Sequence, residues 1–172
     1  MQEKKIDSKQ IFKGKILDVY LDHAELDNKI VTREVIRHPG GVCIYGEIDD
    51  KVLLVKQFRY PFNQELLELP AGKLEKAEDP YQAALREFQE ETGYQAQRLI
   101  SLGEFYPTCA YDDEVIHLYQ AKDLKYVGAN LDEGEYLKVL SIDKQKLKEK
   151  ILSNQLPDGK TQVLCLKVWA NE

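Results

Sequence analysis

No apolar run in this sequence approaches the ~18 residues that a membrane-crossing helix needs. Its first residues, Met1-Gln2-Glu3-Lys4-Lys5, are polar and lead into no hydrophobic stretch, so a secretory signal is not expected. Cysteine is scarce. Cys43, Cys109 and Cys165 are odd in number and far apart, which excludes a disulfide framework and a zinc-ligand spacing and points to a reducing, cytoplasmic compartment. Positive charge is short as well: 24 Lys and Arg against 30 Asp and Glu leave a net charge of -6. A nucleic-acid surface shows as a basic stripe, and none is present. The densest run, Lys144 to Lys150, reads as the solvated face of a short helix. An acidic chain that handles an anionic small molecule must therefore gather positive charge locally, from a few arginines or from bound cations.

What is there is the composition of an ordinary folded domain, 43% hydrophobic and 31% charged over 172 residues. That length suits one domain, 1–172, with a core of its own. Extended stretches are expected at 14–22 and 30–36, an antiparallel pair turning at Asp27-Asn28. Others are expected at 42–48 and 52–58, joined at Asp49-Asp50, and at 99–105, 115–121 and 136–142. The clearest helix begins with Asp79 as N-cap and Pro80 at the first helical position, and ends at Gly93. Two more are expected, from Asp143 to Leu152 and after Asp158. Strands first, one helix among them and helices at the end describe an α+β fold with a mixed sheet.

The chemistry concentrates between Gly72 and Tyr94. Glu87, Glu90 and Glu91 fall at i, i+3 and i+4 on the helix after Asp79 and share one face. Like charges so placed repel by a few tenths of a kcal/mol per pair, and a divalent cation would offset that. Oxygen donors of this type suit magnesium, with manganese as a substitute. Arg86, four residues before Glu90, is placed to hold that carboxylate. Glu65, Glu68 and Glu78 add carboxylates upstream, and Leu69-Pro70-Ala71-Gly72 supplies a rigid turn whose glycine permits positive φ or close backbone approach.

Gly72, Glu78, Arg86, Glu87, Phe88, Glu90, Glu91, Gly93 and Tyr94 match every fixed position of the Nudix box. By this resemblance the fold is a Nudix α/β/α sandwich, residues 39–172, preceded by an antiparallel β extension at about 1–38. The resemblance implies cations held by Glu87, Glu90 and Glu91, joined by the carbonyl of Ala71. It gives Glu78 a structural role with Arg86.

Beyond the box, Glu68 to Glu75 and the strand Val55 to Tyr60, with Arg59 at its end, resemble the ADP-ribose pyrophosphatase branch. That branch implies a homodimer built through the N-terminal strands, and substrate contacts from Arg37, Arg59 and Glu114. It puts an acidic loop at Asp132-Glu133-Gly134-Glu135, with Glu133 as general base, Glu135 as a further metal ligand, and Glu90 and Arg86 completing the catalytic set. One departure stands out: Cys109 occupies the position of a proline in the branch's Ser-Pro-Gly signature, while Glu114 still aligns. The implied reaction is metal-dependent hydrolysis of ADP-ribose to AMP and ribose 5-phosphate. The alternatives are another nucleoside diphosphate derivative (a nucleotide sugar or a dinucleotide) and a non-catalytic sensor of ADP-ribose-type ligands. A sensor would tend to lose box carboxylates, and this chain keeps them.

Overall fold

Asp79 and Gly93 delimit the central helix as expected. In the computed structural model, which describes residues 2–129 and 136–172, helix α1 runs Pro80–Thr92. The Asp79 carboxylate accepts from the N–H groups of Tyr81 and Gln82 (both 3.1 Å), satisfying two orphan donors of the first turn. Gly93 closes the other end at φ 77°, a conformation open to glycine at little cost, and its N–H donates to the Gln89 carbonyl.

The described residues form two compact units. The first, 1–40 with 106–115, carries a three-stranded antiparallel sheet, β1 (Lys4–Lys13), β2 (Asp18–Leu26) and β3 (Lys29–Arg37). Its β2–β3 turn is the expected Asp27-Asn28, with both residues at positive φ (49° and 59°), the geometry that suits a two-residue hairpin. Two differences from the expected pair are plain. Residues 14–17 lie outside the strands, and β1 precedes them as an extra strand. All ten residues of β1 are exposed, so no buried face imposed the alternation by which a strand is recognised. Residues 106–115 join this unit through hydrogen bonds from Ile36 N–H to the Tyr111 carbonyl (2.7 Å) and from Asp113 N–H to the Ile36 carbonyl (3.2 Å).

The second unit, 41–105 with 116–172, holds α1 and the main core. One sheet has the order β8 (Ala71–Lys73), β4 (Gly41–Tyr45), β10 (Ile116–Tyr126), β9 (Tyr94–Phe105). The β4–β10 pair is parallel and the others antiparallel, so the sheet is mixed, as expected. Another sheet orders β11 (Leu137–Asp143), β6 (Lys51–Arg59) and β5 (Glu47–Ile48), with β7 (Gln64–Glu68) paired to β6. Helices α2 (Lys144–Leu152) and α3 (Gly159–Ala170) complete the unit.

Every residue of β4 is buried, and its side chains alternate between two cores. Val42 and Ile44 pack with Ala83, Ala84 and Phe88 of α1; Cys43 and Tyr45 pack with Leu147 of α2 and with Leu164 and Val168 of α3. A strand with helices on both faces is the α/β/α sandwich. Phe88 is fully buried, which stabilises the seat of α1 by roughly 1.5–3 kcal/mol. Phe88 also sets the register of the helix on the sheet, and so the direction of the glutamates beside it.

Candidate active site

Arg86 organises the exposed side of α1. Its Nε and Nη2 form a fork with the two Glu78 oxygens, both at 2.9 Å, and Nη1 donates to Glu87 Oε1 (2.9 Å) and Glu90 Oε2 (3.0 Å). One guanidinium thus faces three carboxylates. The Glu78 carboxylate also accepts from Glu75 N–H (2.9 Å), which pins the loop ahead of the helix. The expected structural role of Glu78 is what this geometry describes. The hydrogen bond from Arg86 holds the Glu78 carboxyl below its ordinary range, overcoming the upward pull of burial, and Glu78 in turn raises the Arg86 pKa.

Glu91, one turn beyond Glu87 on the same face, takes a backbone partner from the turn before Gly72. Only 4% exposed, it accepts from Ala71 N–H at 3.0 Å, as a buried carboxylate requires. The ladder explains why that N–H is available. Ile44 N–H donates to the Pro70 carbonyl (2.9 Å), and Cys43 stands opposite Ala71. In an antiparallel pair alternate residues turn their N–H and C=O away from the partner strand. Ala71, on the edge strand β8, therefore turns both groups toward the side where Glu91 lies.

Gly72 makes the approach possible. A Cβ at that position would sit 1.9 Å from the Glu87 carboxyl carbon and 2.1 and 2.2 Å from its oxygens. Of the two reasons the sequence allows for this glycine, close approach applies; Gly72 is not among the positive-φ residues. We expect Gly72→Ala to fold, because the atoms in the way end a flexible side chain, but to swing the Glu87 carboxylate out of place. Manganese affinity, measured by titration calorimetry, should fall about tenfold or more, with the thermal midpoint little changed. Unchanged affinity would contradict the reading.

Among the described residues, no three His, Cys, Asp or Glu side chains already converge as a metal cluster. The box carboxylates are instead held by Arg86 and the Ala71 N–H. The donor set still fits a hard divalent cation. Glu87, Glu90, Glu91 and the Ala71 carbonyl are all oxygen donors, gathered where one helix meets one turn.

The other expected residues divide between the units. Arg59 ends β6, and its Nε and Nη2 grip Glu68 at 2.6 and 2.7 Å. Lys160, from the first turn of α3, donates to the same Glu68 carboxylate and to Asp158 Oδ1 (2.8 Å). Burial alone would push the Glu68 carboxyl up, but Arg59 and Lys160 together leave it below the ordinary range. Arg37 and Glu114 belong to the first unit. Arg37 Nη1 donates to Asp113 (2.8 Å), with Asp22 at 3.7 Å from Nη2, while a Glu114 oxygen lies 3.5 Å from His38 Nδ1. Cys109 is exposed there, its thiol 3.7 Å from the Tyr106 carbonyl. Glu133 and Glu135 lie outside the described residues. Sequence reasoning missed Lys160 and Thr161 as companions of the box. Asp158 was visible as a helix start, but nothing local tied that turn to Glu68.

Glu68 and Glu78 both have lowered pKa values, so the unfolded chain binds their protons more readily. Their stabilisation is complete above the ordinary glutamate value of 4.5 and is lost as pH falls through the depressed folded values. We expect Glu78→Gln to cost about 1–3 kcal/mol at pH 7, the worth of a charged hydrogen bond, and to flatten the loss of stability below pH 4.5. Denaturant titrations at several pH values check both.

A model of the NUDIX domain family matches residues 37–157. The chain is 39% identical over 165 residues to a Bacillus subtilis (strain 168) protein named ADP-ribose pyrophosphatase, covering 94% of this chain and 89% of the relative. It is also 39% identical over 166 residues to a Bacillus methanolicus protein named methanol dehydrogenase activator, covering 94% and 90%. A solved structure described as an ADP compounds hydrolase shares the fold, with a TM-score of 0.79 at 20% identity over 99% of this chain and 94% of that one. The nine-position box lies inside the matched region, and the relatives extend the likeness over nearly the whole length: the chain belongs to the Nudix family.

Proposed function

We propose that the protein hydrolyses the diphosphate of ADP-ribose to AMP and ribose 5-phosphate, with magnesium as cofactor and manganese as a substitute. The observation that carries this reading is the seating of the α1 glutamates on the turn before the box, Glu91 on the Ala71 N–H and Glu87 against Gly72, where no Cβ stands between backbone and carboxylate. The relative named ADP-ribose pyrophosphatase, similar over nearly all of the chain, supports the choice of substrate. Glu87, Glu90, Glu91 and the Ala71 carbonyl would hold the cation, with Glu135 as a further ligand. When bound, the cation neutralises the diphosphate and polarises its phosphorus. Arg86 keeps Glu87 and Glu90 aligned during this. Arg59, braced by Glu68, presents a guanidinium of fixed orientation to the anionic substrate, and Arg37 and Glu114 contribute further contacts. Glu133 takes the proton of the attacking water. The whole chain acts as one domain in the cytoplasm.

The deciding experiment is a panel of ADP-ribose, nucleotide sugars and dinucleotides with magnesium, products resolved by chromatography. AMP and ribose 5-phosphate should form fastest from ADP-ribose. Faster cleavage of a nucleotide sugar or dinucleotide would move the substrate assignment there, and binding without turnover would favour a sensor.

A homodimer belongs to the same proposal. The edge strand β1 is exposed along its whole length, with Ile6, Ile11 and Phe12 each more than half exposed, and an uncovered strand edge is a site of pairing. Light scattering should report about twice the 19.9 kDa chain mass; a fully active monomer would reject a dimer-built site.

A further inference from the structure

Each residue from Glu68 to Gly72, the segment leading into the box, is held from outside. Glu68, 2% exposed, takes the Arg59 fork and Lys160. Leu69 N–H donates to the Thr161 hydroxyl oxygen (2.8 Å), and that hydroxyl donates to Asp158 Oδ2 (2.6 Å). The Pro70 carbonyl accepts from Ile44 N–H, Ala71 N–H donates to Glu91, and Gly72 lies against Glu87. Two of these anchors come from the first turn of α3, 92 residues further along the chain. Stability alone does not account for them. Burying a lysine head against a carboxylate gains little over an apolar pair of similar volume, and the Lys160 side chain is only 14% exposed. What a charged, directional pair adds is a single geometry.

We propose that Lys160 and Thr161 are positioning residues for the box, holding Glu68 and Leu69 so that the Ala71 carbonyl and Gly72 stay in register with the carboxylates of α1. The inference rests on the metal reading under Proposed function. It assigns the start of α3 a part in cation binding although no α3 side chain is a ligand. Glu68 is shared, so Lys160 also steadies the carboxylate that braces Arg59.

The test compares the full-length, metal-stripped protein with Lys160→Met, Lys160→Arg, Thr161→Val and Thr161→Ser. Hydrogen exchange of peptides covering 66–74 reads the anchoring, and calorimetric manganese titration reads its consequence. Lys160→Met and Thr161→Val should speed exchange at 68–72 and weaken manganese binding roughly tenfold, the usual effect of losing an outer-shell partner. Peptides from β9 and β10 should be unchanged. Arg at 160 and Ser at 161, which keep the charge and the hydroxyl, should restore most of the affinity. If Thr161→Val fails to fold, Lys160→Met, at the less buried position, decides. Folded variants that bind manganese within twofold of the unmodified protein would overturn the proposal. An unmodified protein that binds no manganese would overturn the metal reading instead, and unchanged exchange at 68–72 would then still refute the anchoring.

Discussion

Excess chelator will reduce hydrolysis to background, and added magnesium or manganese will restore it. The expectation follows from charge. Glu78, Glu87 and Glu90 share one guanidinium, and Glu91 sits one turn from Glu87 with a backbone N–H as its partner. A diphosphate brought to this face adds two or more negative charges. At about 4 Å and an effective dielectric near 20, each like pair costs roughly 4 kcal/mol. Several such pairs exceed what a substrate of this size gains on binding. The net charge of -6 offers no general attraction to compensate. Glu91→Gln should share part of the effect, weakening manganese binding as well as rate. Full turnover in a metal-stripped, chelated sample would end the argument.

Glu133→Gln should lower turnover by roughly 10²–10⁴-fold, the usual contribution of a positioned base, while leaving the substrate dissociation constant nearly unchanged. The box carboxylates are already engaged, Glu78, Glu87 and Glu90 by Arg86 and Glu91 by the Ala71 N–H. A carboxylate that accepts charged hydrogen bonds or holds a cation is a poor proton acceptor. The base is therefore sought outside the helix, at Glu133. The amide of glutamine keeps the shape and loses only the charge, so binding is the control. Near-normal turnover in Glu133→Gln would move the role to Glu90 or Glu135, distinguishable by the same substitution at each.

Much of the candidate site was legible in the sequence because helix signals are short in range. Asp79 and Gly93 lie within a turn of the groups they satisfy and Pro80 pre-sets φ at the first helical position, so the bounds of α1 follow from local chemistry. The i, i+3, i+4 spacing placed the glutamates on one side, and Arg86 was four residues from Glu90, within reach. The strands were harder. β1, exposed along its length, had no core to impose alternation, and β8 is three residues long and recognisable only by its partner β4.

By itself, then, the sequence determined the box helix, its caps, the shared face of its carboxylates and the acidic balance that calls for local countercharge. Only the tertiary structure decided that Gly72 is glycine to admit Glu87 rather than to turn the chain, that Ala71 turns its N–H to Glu91, and that Glu68 is shared by Arg59 and Lys160. The physical reason is range. A helix closes its hydrogen bonds within four residues, whereas the Glu68–Lys160 pair joins positions 92 apart. A buried carboxylate must find a partner, but nothing local to Glu68 says which cation the packed chain will bring to it.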